Sequence, residues 1–359
     1  MRIFWRNLLI SFFFGVLFFL AVSDVKAKSD FPLQEIGQTF KANSFFQDPS
    51  LDIFDYLSDA KSLADLRSFL KELDPYATYT TKRDREDLAQ MIKDKPASIG
   101  MDIFRDRSER VRCVPYPSSS ASAMCILYGD ELLQIDERRV LDLTLEEMAG
   151  LIRGDLNTEV ALRVQTGRQE PRWVYAVREK SGIAPTVLFY HQKKRPIIWI
   201  LRFGPHTDQE LARCLERFSV DERVVLDLRG NTGGNLAAGI KCAKMFLPKG
   251  CLVAKIKSKT GVKVVRAEKD GLYADLSLIL RQDRYTASAA EMFIAALLEA
   301  NRGTSVGEKT AGKALVQTLF KLKNGAILKL STEKLLNLQR AGDWEDSGLM
   351  PTRSSRSAY

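Results

Sequence analysis

Histidine is almost missing from this chain: His191 and His206 are the only two in 359 residues, and neither sits in a motif. That removes the side chain most often used as a general base and as a metal ligand. Five cysteines are present, Cys113, Cys125, Cys214, Cys242 and Cys251, without metal-ligand spacing. No metal and no other cofactor is therefore expected. The one glycine-rich run lacks the Gly-Lys-Ser/Thr of a P-loop, which excludes that mode of phosphate binding. Internal repeats, low-complexity tracts and coiled-coil heptads are also lacking. The net charge of +9 comes from scattered lysines and arginines with no interleaved aromatics, so nucleic acid is not an expected partner. Beyond residue 27 no apolar run is long enough to cross a bilayer.

What is there begins with an export signal. Arg2 and Arg6 form a positive start, Leu8 to Val22 an apolar stretch, and Val25-Lys26-Ala27 a small-residue cleavage site. The apolar stretch is about 15 residues, short of the ~20 a span needs, so residues 1–27 read as a cleaved signal peptide. An uncleaved N-terminal anchor is the alternative. The expected location is outside the cytoplasm, in the periplasm, with membrane association if the segment is retained. Export permits disulfides. The odd count leaves at least one thiol free unless chains pair, and Cys113 with Cys125 is the first pair to test against buried free thiols.

Three further regions follow. In residues 28–97, Leu51, Phe54 and Leu57, then Leu63, Leu66, Phe69, Leu70 and Leu73, recur at helical spacing, and 81–95 reads as an exposed charged helix ended by Pro96. Residues 98–180 switch to short strands and turns, with a capping-box pattern at Thr144 and Glu147. Residues 181–359 carry an α/β pattern. Its strands fall near 197–203, 224–228 and 276–280, with helices near 236–246 and 287–300. A second capping-box pattern opens at Thr207 with Glu210, and Asn324-Gly325 marks a hairpin.

The chemistry concentrates in three places. Ser288, in Thr286-Ala287-Ser288-Ala289-Ala290-Glu291, stands where a buried strand gives way to a helix. A serine there is often only a helix cap. At the carboxyl edge of a sheet, however, its hydroxyl meets a ligand, and the N–H groups of the first helical turn face any anion formed beside it. Lys313 lies in Thr310-Ala311-Gly312-Lys313-Ala314-Leu315-Val316, a stretch with no other charge. A free lysine titrates near ~10.4, and bringing it into the neutral range costs about 4 kcal/mol. Burial in an apolar site can impose that cost; otherwise the residue is an ordinary surface lysine. The third place is Arg229-Gly230-Asn231-Thr232-Gly233-Gly234-Asn235, between a strand and a helix. It is either a tight turn or a loop whose bare backbone N–H groups face a substrate carbonyl.

Together these segments resemble the C-terminal processing peptidases, also called tail-specific proteases. The run 225–234 looks like that family's Asp-Leu-Arg-x-Asn-x-Gly-Gly, 286–291 its nucleophile segment, and 310–317 its lysine segment, with the same 25-residue gap from serine to lysine. Leu73-Asp74-Pro75 and Gly348-Leu349-Met350-Pro351 resemble two further family segments. The resemblance covers about residues 40–352. It implies an α/β fold: a ClpP/crotonase-like protease core with an inserted PDZ domain at 98–180 and a helical N-terminal region. It also implies a serine endopeptidase in which Ser288 attacks, Lys313 carries the proton and Gln317 holds the lysine. Gly234 and Ala289 would form the oxyanion hole. Ile99, Gly100 and Met101 would take the place of the PDZ loop that binds a peptide carboxylate.

The implied partners are protein or peptide substrates with apolar C-termini. The resemblance also leaves room for an activating partner protein and for a homo-oligomer. Ala311 and Ala314 depart from the family pattern, which has an aromatic residue and often glycine there, so the wall beside the lysine is expected to pack differently. The alternative reading is a non-catalytic PDZ scaffold that holds protein C-termini.

Overall fold

The computed structural model describes residues 31–46, 52–94, 97–106, 108–180, 185–192, 195–219, 222–336, 338, 344–345 and 347–354. The signal-like segment 1–27 lies outside the described residues. No helix among the described residues is long and apolar enough to cross a membrane. The chain divides into two compact units: the residues up to Arg85 together with Gln317–Glu333, and Glu86–Val316 together with the residues from Lys334 on.

The first unit contains helices α1 (Leu33–Asn43), α2 (Ile53–Ser58) and α3 (Leu63–Leu73) and the short strand β1 (Thr78–Thr80). Of the periodic apolar positions, Leu57, Leu66 and Leu70 are buried in its core with Ile36, Phe40, Leu322, Leu328 and Leu330. Phe54, Leu63, Phe69 and Leu73 pack against it partly buried, and Leu51 lies outside the described residues. Hairpin 317–333, read from the sequence as part of the α/β region, thus gives its apolar face to the N-terminal helices. Asp74 explains the Leu-Asp-Pro segment. Its buried carboxylate accepts from the Ser331 backbone N at 2.6 Å, Ser331 Oγ at 3.0 Å and Tyr76 N at 3.0 Å. Helix α4 (Lys82–Asp94) is the expected charged one.

The second unit starts with a small β module. Its strands are β2 (Ala97–Ser98), β3 (Met101–Arg105), β4 (Val111–Pro115), β5 (Glu131–Ile135), β6 (Arg138–Arg139), β7 (Glu159–Gln165), β8 (Arg172–Val177) and β9 (Glu179–Lys180). They form an antiparallel sheet in the order β3-β4-β5-β7-β8, while β2 pairs with β9 and brings the module's two ends together. Helices α5 (Ser120–Ala123) and α6 (Leu145–Ile152) complete it, and the Thr144–Glu147 capping box forms as expected. Ile99, Leu132, Met148, Val160 and Leu162 are fully buried in its core. Cys113 and Cys125 are not bridged. All five cysteines are free thiols, Cys113 buried on β4 and Cys125 exposed after α5. The side chain of Cys113 faces the module's interior, which gives it no access to a surface partner.

The α/β core comprises β10 (Val187–Gln192), β11 (Arg195–Ile200), α7 (Thr207–Leu215), β12 (Arg223–Asp227), α8 (Leu236–Lys244), β13 (Leu252–Ser258), β14 (Gly261–Arg266), β15 (Ser277–Gln282), α9 (Ala289–Glu299) and β16 (Gly303–Gly307). The last strands are β17 (Leu315–Lys321), β18 (Ile327–Leu336) and β19 (Arg353–Ser354). Six strands lie in the order β10-β11-β12-β15-β16-β19, parallel from β11 onward. Leu226, Leu280, Phe246, Phe293 and Leu297 are fully buried between this sheet and its helices, at about 1.5–3 kcal/mol per large apolar side chain. The capping box expected at Thr207 and Glu210 does not form. Thr207 Oγ1 accepts from Gly204 N, and the Glu210 carboxylate reaches away to Thr186 N at 2.8 Å and Val187 N at 3.0 Å. One pairing decides where the chemistry can lie: β12 and β15 are parallel neighbours with Asp227 opposite Arg281. The loops that leave their carboxyl ends therefore emerge side by side, where open α/β sheets place ligands.

Candidate active site

The loop after β15 carries Ser288, at the N-cap position of α9 with φ +57° and ψ −120°. That backbone conformation belongs to the first central position of a type II′ turn and is normally glycine's. Holding serine there costs about 1–3 kcal/mol, a strain that persists where the surroundings over-determine it. They do so here. Ala287 N donates to Asn231 O at 2.9 Å, Ala311 N donates to Thr286 O at 2.9 Å, and Ser288 N donates to Glu291 Oε2 at 2.8 Å. The glycine-rich loop after β12 presses on the same point. A Cβ on Gly233 would stand 2.8 Å from Ser288 Cβ and 3.1 Å from Ala289 N, which no side chain allows. Asp227, fully buried, clasps Arg229 through its guanidinium, with 2.6 Å between Oδ2 and Nη2. The Asp-Leu-Arg part of the motif is thus the anchor of the loop.

Glu291 joins the serine to the lysine. It lies one turn into α9, fully buried. Its Oε1 accepts from Thr310 Oγ1 at 2.6 Å and Gly312 N at 2.7 Å, and its Oε2 accepts from Ser288 N and Lys313 N, both at 2.8 Å. Two nitrogens on one oxygen can be no farther apart than twice that distance. The backbones of Ser288 and Lys313, 25 residues apart in sequence, are therefore pinned to one carboxylate. Burial pushes the Glu291 pKa up, and the four hydrogen bonds pull it back. Thr310 in turn accepts from Leu349 N at 2.7 Å and donates its own N–H to Leu349 O at 3.1 Å, which fixes the closing Gly-Leu-Met-Pro segment beside the lysine loop.

Lys313 is half-buried. The lysine stretch is free of other charge only along the sequence: the fold brings the Glu291 carboxylate to Lys313 N and the Glu345 carboxylate to Ala314 N at 2.6 Å. Ala314, one of the two departures, is fully buried in the core. Gly234 follows Gly233 in the loop that presses on Ser288, and Ala289 is the residue after the serine, at the start of α9. Gln317 stands on β17 in the first unit, whereas Ser288 and Lys313 belong to the second. Ile99, Gly100 and Met101 lie where β3 begins in the module. The carbonyls of Ile99 and Gly100 accept from Ala121 N and Tyr116 N, both at 2.9 Å. No group of three or more metal-ligating side chains occurs among the described residues.

Sequence reading missed Glu291, Thr310 and Asp283 as parts of the site. The serine-to-glutamate spacing of three residues was visible as a capping pattern, but its partners at 310–313 become neighbours only in the fold.

Residues 196–354 match the model of peptidase family S41. Within it, the relatives are C-terminal processing proteases. A probable CtpA-like serine protease of Staphylococcus aureus is 31% identical over 284 residues, 78% of this chain and 57% of its own length. The carboxy-terminal processing protease CtpA of Bacillus subtilis is 28% identical over 322 residues, 87% of this chain and 67% of its own. The chain thus spans a little over half the length of the staphylococcal relative. The solved photosystem II D1 C-terminal processing protease superposes with a TM-score of 0.72 at 22% identity, covering 90% of this chain and 92% of its own. That likeness establishes a shared fold.

Proposed function

We propose that this chain is an exported serine endopeptidase that cleaves proteins selected by their C-termini, with Ser288 as nucleophile and Lys313 as general base. In this reading the neutral lysine amine takes the Ser288 proton as Oγ attacks the scissile carbonyl. The oxyanion that forms is met by Gly234 N–H and Ala289 N–H. Each such donor is worth about 10²–10³ in rate. The ammonium then gives its proton to the leaving amine, and the C–N bond breaks to leave an acyl-serine. Water, deprotonated by the same lysine, releases the new C-terminus and restores the hydroxyl. Gln317 orients the lysine.

The observation that carries the proposal is the shared carboxylate of Glu291, which binds the backbone N of both Ser288 and Lys313. A serine serving only as a helix cap accounts for the bond to its own backbone N but not for the bond to Lys313 N. The module is read as a PDZ domain inserted into a ClpP/crotonase-like core. β3 is an edge strand of its sheet, and an apolar C-terminal peptide would add to it by main-chain pairing. Its carboxylate would lie at Ile99, Gly100 and Met101. Export to the periplasm, with membrane association if the segment is retained, is proposed on the residue pattern of 1–27 alone.

The test is hydrolysis of an unfolded protein such as casein by wild type, Ser288→Ala and Lys313→Ala. Each variant is expected to lose activity by about 10³-fold or more while keeping its unfolding midpoint. Wild-type rates in either variant remove that residue from the mechanism. Binding of tail peptides without cleavage by the wild type makes the protein a scaffold instead.

A further inference from the structure

Asp283 is the first residue beyond β15, five before Ser288, and its side chain is 7% exposed. Its Oδ1 accepts from Gly230 N at 3.2 Å and from Tyr285 N and Thr286 N, both at 3.0 Å. One oxygen therefore ties the loop after β12 to the loop after β15. Its Oδ2 is taken by the hydroxyl of Tyr128, which comes from the β module, 155 residues away in sequence. Tyr128 also covers Gly230, whose φ is +72°: a Cβ there would stand 2.6 Å from the tyrosine Cε2. The ring meets Trp199 and Tyr285 edge-on, with centroids at 6.0 and 6.4 Å.

The loop that carries Tyr128 is itself fixed within the module. Gly129 N donates to Cys113 O, and Cys113 N donates to Asp130 O, both at 2.9 Å. A second set of contacts comes from β3. Asp102 pairs with Arg202 of the core, and Phe104 packs edge-on against Tyr285 at 5.2 Å. The strand proposed to take the substrate tail and the loop that carries Tyr128 thus converge on Tyr285 and Asp283.

We propose that Asp283 is a positioning residue for the reaction and that the module completes it through Tyr128. The two proposed oxyanion donors sit on different loops, Gly234 after β12 and Ala289 after β15. Their spacing is set by whatever locks those loops together, and Oδ1 of Asp283 is one of the locks. Rotation of the carboxylate would break all three of its backbone bonds at once. The Tyr128 hydroxyl on Oδ2 opposes that rotation. The module therefore acts on the geometry of the oxyanion site as well as on substrate capture. This deepens the peptidase reading and rests on it for its kinetic arm.

The experiment compares Tyr128→Phe, Asp283→Ala and Asp283→Asn in the full chain. Steady-state cleavage of a tailed peptide gives kcat and KM, and amide hydrogen exchange is followed over 228–235 and 283–290. Tyr128→Phe keeps the ring and removes one hydroxyl. It is expected to lower kcat about tenfold with KM within twofold, and to speed exchange in both loops about tenfold while α6 is unaffected. Asp283→Ala is expected to lose at least about a hundredfold in kcat. Asp283→Asn keeps the Oδ1 acceptor and is expected to recover most of that loss. Tyr128→Phe placed on Asp283→Ala should add no further loss, because both act through one bond. Unchanged kcat and unchanged loop exchange in Tyr128→Phe would overturn the proposal, as would equal losses from Asp283→Asn and Asp283→Ala. A wild type that cleaves nothing defeats the peptidase reading, and the exchange arm then decides the positioning role by itself.

Discussion

Glu291 has two oxygens and four donors. Two of those donors are the backbone N–H groups of the residues proposed to perform catalysis, so a change at this side chain reaches both together. Replacement by glutamine leaves one acceptor oxygen and puts an NH₂ group against buried N–H donors. Lost hydrogen bonds to a charged group cost about 1.5–3 kcal/mol each, and buried donors left unpaired cost about 1–3 kcal/mol. Glu291→Gln is expected to destabilise the fold by about 2–4 kcal/mol and to cut kcat by at least a hundredfold. Urea unfolding and casein hydrolysis measure the two effects. A variant that keeps full activity would show that the clamp does not position the pair.

At the scale of single elements, Glu210 shows how a pattern can be right as a string and wrong as geometry. Its spacing from Thr207 fits a capping box, yet the carboxylate leaves its own helix to bind Thr186 N, Thr186 Oγ1 and Val187 N at the start of β10. Glu210→Ala is expected to cost about 2–3 kcal/mol, read from urea midpoints, with kcat within threefold of wild type. Helices and strands were legible where periodicity and burial agree: α3, α6 with its cap, β12, β15 and α9 all fall near their expected positions. Ser288, Lys313 and the glycine loop stood out in the sequence as segments, and the fold brings the backbones of the first two to one carboxylate; their roles remain proposed. Glu291 and Asp283 were not legible, because the partners that link them to other segments lie 19–22 and 53–155 residues away in sequence. Local reading sees a buried carboxylate as a surface charge. The same blindness made the lysine stretch look free of charge when Glu345 and Glu291 lie against its backbone.

Across the whole molecule, burial pushes the pKa values of both Asp283 and Glu291 up from their ordinary values. A carboxyl raised in the folded state holds its proton to higher pH there than in the unfolded chain. The stability it contributes is complete below the unfolded value of about 4 and is lost as pH rises through the raised folded value. Wild type is therefore expected to lose stability relative to Asp283→Asn as pH rises above about 4, a difference visible in urea midpoints taken across a pH series. Parallel midpoint curves for the two proteins would contradict it. The bond between Thr310 and Leu349 has a consequence in time. Thr310 steadies Glu291, and its own partner is not synthesised until the ribosome has passed residue 349. The serine and lysine proposed for catalysis are therefore in the chain before the contact that completes their setting can form.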